Sequence, residues 1–348
     1  MNARPTQTAT PAIAAPISDA DAVNLLHRMV ETPSVSGSEA SIAALLAHLM
    51  SHHGFSAEID VAGNAIGWLG PRHPDHLIVL LGHMDTVPGE IPVRIEGDLL
   101  FGRGSVDAKG PLASFIVAAS RTSLPPNVAL AVIAAVEEET PTSRGARAVI
   151  DRFHPAACVI GEPSAWNAIT IGYKGRLVCE YTTARDLAHT AGPGASAADE
   201  AFAFWQRVLA EIARRNHTRS GAFDSIQATI RDLHTSSDGL TEQASLTGAF
   251  RLPTSVSPHE LERSILKLSG SGHLAFLGHE SAHLSPRDNA VARHLSAAIR
   301  RQGQRPTLRV KTGTSDMNVV APRWNCPIAA YGPGDSALDH TPREHISL

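Results

Sequence analysis

The chain has 348 residues, 43% of them hydrophobic and 18% charged, with a formal net charge of −4. That apolar content supports sizeable buried cores and excludes collagen-like, disordered and disulfide-scaffold chains. The negative balance argues against a nucleic-acid partner, and the longest apolar runs, LIVLL and VALAVIAAV, fall far short of the ~18 residues of a membrane span.

Residues 1–16, rich in Thr, Ala and Pro, read as a flexible tail; they lack the apolar core of a signal peptide. Residues 20–31 and 38–53 read as amphipathic helices, with Ser36 or Ser38 as the cap of the second. Short apolar runs at 77–81, 128–136 and 157–160 predict buried parallel strands, with a helix from Pro111 between the first two. From Lys174 to Ser281 the pattern changes to strand 175–184, helix 196–216, strands 225–234 and 243–252, helix 257–269 and strand 273–278. That β-α-β-β-α-β order is ferredoxin-like. Helix 288–302, strand 307–311 and the apolar run 327–331 then resume the first pattern. The chain therefore reads as an α/β domain, 17–173 plus 282–348, into which residues 174–281 are inserted. Cys158, Cys179 and Cys326 form an odd, widely spaced set, which fits a reducing cytoplasm.

Four apolar runs lead into metal-type ligands: LIVLLG into His83-Met84-Asp85, VALAVIAAV into Glu137-Glu138-Glu139, ACVIG into Glu162, and PIAAYGPGD into Asp339-His340. In open α/β sheets ligands bind at the carboxyl ends of strands. The Gly-rich turn FGRGSVDAKGP adds Asp107. Each piece alone is a weak signal. A carboxylate run directly after nine apolar residues, however, brings charge next to buried structure, and a metal relieves the cost of that burial. Two histidines and three carboxylates suit a two-metal site with a shared carboxylate.

GHMDTVPG, GRGSVDAKG, the triple Glu, GEP and the late DHTP resemble the co-catalytic zinc aminoacylase/carboxypeptidase family, which includes acetylornithine deacetylases and succinyl-diaminopimelate desuccinylases. The resemblance spans nearly the whole chain from about residue 20. It implies a zinc-aminopeptidase-like α/β/α catalytic domain with an inserted lid and dimerisation domain. His83, Asp107 and Glu162 would hold one zinc ion; Asp107, Glu139 and His340 would hold the other, with cobalt as the alternative metal. Glu138 would act as general base and Asp85 would orient His83. A base one residue earlier, at Glu137, stays open at this stage, as does His345 in place of His340. A cis peptide after Asp107 is also implied. His189 would reach across a homodimer, formed through the lid, to bind the oxyanion, and Arg251 would grip a substrate carboxylate. Lys311, Thr314 and Ser315 of the KTGTSDMN stretch would also face substrate.

Within the family, GEPSAWNAITIGYKGR, KTGTSDMNVVAPRW and AYGPGDSALDHTPREH resemble hydrolases that release lysine or ornithine from an acidic amino-group carrier protein in lysine and arginine biosynthesis. A deacetylase or general aminoacylase on the same scaffold, and a non-catalytic binding module, are the alternatives. Two departures stand out. Ala249 replaces the Asp of the usual Asp-x-Arg-x-x-Pro, which puts the orientation of Arg251 in question. Only eight residues follow His340, which predicts a loosened His340 loop.

Overall fold

The computed structural model describes residues 16–189, 192 and 194–348. The proposed tail lies outside the described residues except for Pro16. Strands Val128–Ala135, His76–His83, Ala157–Gly161 and Ile328–Ala330 lie side by side in that order, all parallel. Val128–Ala135 is buried at every position but the first. An unbroken apolar run of this kind is what a strand covered on both faces requires. Helices Asp19–Glu31, Ala40–His52 and Lys109–Ser120 bring Met29, Leu46 and Ile116 into one core. Helices Arg144–Val149 and Asp316–Trp324 bring Val149, Val320 and Trp324 into another. Antiparallel strands Ser56–Ile59 and Ala65–Leu69 extend the sheet at one side, and Ala168–Tyr173, Thr307–Lys311 and His283–Leu284 at the other. No helix among the described residues is long and apolar enough to cross a membrane.

Two local expectations are corrected. The third helix starts at Lys109, so Pro111 is its third residue; the missing N–H there costs nothing, because first-turn donors have no intrahelical acceptor. Neither Ser36 nor Ser38 caps Ala40–His52, whose N-cap is Glu39 without a side-chain bond. The Ser36 hydroxyl instead donates to Asp85 Oδ2 at 2.7 Å.

Strands Gly175–Asp186, Gln227–Ser237, Thr241–Leu252 and His273–Glu280 form a separate antiparallel sheet, with spatial order second, third, first, fourth. Its helices are Ala197–Asn216 and Pro258–Leu266. Strand alternation divides the two faces. Leu177, Cys179, Leu246 and Phe250 pack with Phe204 and Trp205 of the first helix. The alternate residues Arg176, Val178, Thr247, Ala249 and Arg251 face a cavity shared with the larger sheet.

The two crossings into and out of this unit are held by one side chain. Asn318 Nδ2 donates to the carbonyls of Lys174 at 3.1 Å and Ser281 at 2.8 Å, while its Oδ1 accepts from the Ser315 N–H. Asn318→Ala leaves the buried Lys174 carbonyl and Ser315 N–H without these partners, and a loss of roughly 1–3 kcal/mol of stability is expected. Equilibrium urea unfolding checks this; a change under about 0.5 kcal/mol, the range of an indifferent surface substitution, would remove the clamp role.

Candidate active site and metal centre

The parallel strands deliver their C-terminal residues to one rim of the sheet. His83 closes its strand with Nε2 at 3.3 Å from Asp107 Oδ1 and 4.0 Å from Glu162 Oε1. Its Nδ1 lies 3.1 Å from the Asp85 backbone carbonyl and 3.4 Å from Asp85 Oδ1. Asp85, wholly buried, also accepts the backbone N–H groups of Glu138 and Glu139 at 3.1 Å each. It thus fixes both the imidazole and the triple-Glu turn, where Glu137 takes a left-handed φ of 55°.

That turn separates the three carboxylates. Glu137 bonds Thr142 and Arg144, away from the cluster. Glu138 and Glu139 point inward: with His83, their donor atoms all lie within 4.8 Å of one another. Asp107, Glu139 and His340 form a second such group, with His340 Nε2 at 2.9 Å from Glu139 Oε1 and 3.1 Å from Asp107 Oδ2. Asp107 therefore turns one oxygen to each histidine. The Asp107–Ala108 peptide is cis. His345 is elsewhere, its ring 4.8 Å from that of Phe101.

The residues after His340 are anchored rather than loose. Strand His345–Ser347 pairs with Leu99–Phe101, and Glu344, wholly buried, accepts the N–H groups of Val106 and Asp107 at 3.0 and 3.1 Å. Arg103 closes on the same carboxylate at 2.8 Å.

Burial sets the electrostatics. It pushes the Glu138 carboxyl well above the usual range, with Glu162, Asp316 and Glu139 adding repulsion. Burial and then the Asp107 charge push Glu162 up to about 8 and Asp339 up to about 9. Hydrogen bonds to Asp107 and Glu139 raise His340 to about 10. Asp107 is held below the carboxylate range, because the bonds from His340 and His83 outweigh its burial. The five carboxyl groups that line the cavity, Asp107, Glu138, Glu139, Glu162 and Asp339, thus crowd two imidazoles, and the cluster is short of positive charge. Divalent metal ions are the matching complement, and this mixed oxygen and imidazole donor set fits them.

The cluster floors a cavity of about 760 Å³, whose opposite wall is the inner face of the smaller sheet. Arg251, Lys311 and Thr314 line it, and the Arg251 guanidinium donates to the Thr314 hydroxyl. Ser315 does not line it; its hydroxyl caps helix Asp316–Trp324 by accepting the Met317 N–H. His189 is exposed beyond strand Gly175–Asp186 and is not among the lining residues of its own chain. From sequence, Ser36 reads only as a helix cap, Asp339 only as a ligand-type residue beside His340, and Glu344 has no role.

Residues 79–348 match the family described as peptidase family M20/M25/M40. The chain is 50% identical to the [LysW]-lysine hydrolase of Deinococcus radiodurans, over 96% of this chain and 94% of that protein. It is 30% identical to a [LysW]-lysine/[LysW]-ornithine hydrolase of Saccharolobus solfataricus, over 78% and 76%. Among solved structures, an M20 family metallo-carboxypeptidase from Sulfolobus solfataricus superposes with a TM-score of 0.76 at 15% identity, covering 94% of this chain and 95% of that one. A dinuclear metal-binding M20 peptidase of Bacillus subtilis superposes with a TM-score of 0.65 at 12% identity, covering 93% and 91%. The chain belongs to peptidase family M20/M25/M40.

Proposed function

We propose that this protein is a two-zinc amide hydrolase of the cytoplasm. It releases lysine or ornithine from the side chain of the terminal Glu of an acidic amino-group carrier protein, in lysine or arginine biosynthesis. The observation that carries this reading is the convergence of Asp107, Glu138, Glu139, Glu162 and His340 on one cavity, with His83 buried behind them at 3.3 Å from Asp107, in a chain half identical to a [LysW]-lysine hydrolase. His83, Asp107 and Glu162 would hold one metal ion and Asp107, Glu139 and His340 the other; when bound, they supply Lewis acidity at the scissile carbonyl and lower the pKa of water. Glu138 takes a proton from the attacking water and returns it to the departing α-amino group. Asp85 keeps His83 and the Glu138 backbone in register. Arg251 binds the carboxylate of the departing amino acid, and in place of the family's Asp its guanidinium leans on Thr314.

The carrier is recognised by charge. Residues 282–348 hold 9 Lys and Arg against 5 Asp and Glu, whereas residues 1–173 hold 10 against 17. Arg300, Arg301, Arg305 and Arg309 are exposed, without an ion pair among the described residues, and the strand that follows leads through Lys311 into the cavity. Such a strip raises association rate in a salt-dependent way. The test compares carrier-linked lysine, carrier-linked ornithine and N-acetylornithine. Preference for a carrier-linked substrate is expected, and it should shrink in the double variant Arg301→Glu, Arg305→Glu. A preference for N-acetylornithine would make the protein a deacetylase.

The lid's outer strands, Gln227–Ser237 and His273–Glu280, are sheet edges, which suit pairing with a second copy. In that homodimer His189 of one protomer would reach its partner's cavity. Mixed dimers of His189→Ala and Glu138→Gln chains are then expected to regain activity that neither parent has; no recovery in verified mixed dimers would end the trans role.

A further inference from the structure

Three arginines, Arg176, Arg231 and Arg251, stand on the lid wall opposite the carboxylate floor. Arg176 is already paired: it donates to Glu280 Oε2 at 3.1 Å, a buried carboxylate that it shares with Arg147. Among the described residues, the Arg251 guanidinium has only the Thr314 hydroxyl as a side-chain partner. Arg231 makes no ion pair or side-chain hydrogen bond among the described residues. Burial, then repulsion from Arg176 and Arg231, pulls Arg251 below its ordinary value, so the three charges act on one another.

The backbone puts Arg231 there by a specific device. Ile230 pairs with Gly248 and Asp232 pairs with Thr247, so Arg231 is the extra residue of a bulge without a cross-strand partner. Bulges re-aim side chains, and this one lies beside Thr247 on the cavity wall. Across the pairing, Ala249 faces the same cavity where an acid could have neutralised the wall. Arg231 is exposed to the solvent of the cavity, and two guanidiniums without carboxylate partners over one cavity offer forks for two anionic groups, since each fork matches one carboxylate.

We infer that Arg231 binds a second substrate carboxylate: the free α-carboxylate of the glutamyl residue whose side chain is being cleaved, while Arg251 holds that of the departing amino acid. This rests on the side-chain-linked substrate proposed above. In such a substrate two carboxylates flank the scissile amide, one on each side. An N-acetyl amino acid has only one. Arg231 is therefore a specificity residue for the acyl half of the substrate.

The experiment uses the full-length, metal-loaded enzyme and two synthetic peptides that end in a glutamyl residue bearing lysine on its side chain. One peptide has the free α-carboxylate, the other an α-carboxamide. Wild type is expected to prefer the acid by on the order of 10- to 100-fold in kcat/KM, the worth of a charge-assisted contact, chiefly through KM. In Arg231→Gln that ratio should collapse toward one, and Arg231→Lys should restore part of it. An unchanged ratio in Arg231→Gln overturns the inference, as does an equal loss on both peptides. Wild type that cleaves N-acetyllysine but neither peptide nor carrier-linked lysine overturns the proposed function itself.

Discussion

Glu138→Gln is expected to keep the fold and its bound metal while kcat falls by on the order of 10²–10⁴-fold, the usual effect of removing a general base. The substitution is nearly isosteric, and the backbone of Glu138 stays fixed by Asp85 Oδ1 at 3.1 Å. In the proposed mechanism the inward-facing carboxylate carries the proton-transfer role, and an amide cannot accept the water's proton. Glu137→Gln is the internal control. That side chain is spent on Arg144 and Thr142 outside the cluster, so its loss should change kcat only a few-fold. Steady-state rates with metal analysis of both variants decide the register. An active Glu138→Gln beside a dead Glu137→Gln would move the base back by one residue.

The fold was legible where burial is two-sided. VALAVIAAV carries no alternation because both faces of its strand are covered, and the lid's strands alternate because only one face is. Elements whose identity depends on tertiary contact were not legible. Helix Asp316–Trp324 contains Pro322, a local stop signal, yet it persists because Met317, Val320 and Trp324 are buried against the larger sheet. Ala168–Tyr173 is buried throughout but follows a run of turn residues, and it pairs antiparallel with Ile328–Ala330, a partner far along the chain.

The site divides in the same way. His83, Glu138, Glu139 and Glu162 follow apolar strands, so their convergence is a consequence of parallel pairing that a pattern of runs and turns can signal. Ser36, Glu344 and Arg231 are different. Ser36 resembles a helix cap, Glu344 an ordinary loop acid and Arg231 an exposed strand residue. Ser36 bonds Asp85, Glu344 bonds the backbone of the Asp107 turn, and a bulge aims Arg231 at the cavity. Such roles arise only when distant segments meet, and local sequence carries no record of them.

Asp107→Asn should be more damaging than Glu138→Gln, since in the proposed assignment Asp107 serves both metal positions at once. Asp107 presents Oδ1 toward His83 at 3.3 Å and Oδ2 toward His340 at 3.1 Å. An amide offers one oxygen and no negative charge, so one of the two positions loses its shared ligand and both lose charge. Metal content measured on protein equilibrated with zinc is expected to fall from two ions per chain to one or none, with kcat/KM reduced by more than the roughly 10²–10⁴-fold of a missing base. Glu344→Gln grades the effect. Its amide oxygen can still accept the Val106 and Asp107 N–H groups, but the buried pair with Arg103 is lost. Outer-shell changes of this kind cost on the order of 10–100-fold in metal affinity, so Glu344→Gln should bind two ions more weakly and regain activity as zinc is raised, whereas Asp107→Asn should not. If Asp107→Asn instead holds two ions and turns over like wild type, the bridging assignment fails, and Glu139, whose carboxylate lies close both to His83 with Glu138 and to Asp107 with His340, becomes the shared carboxylate.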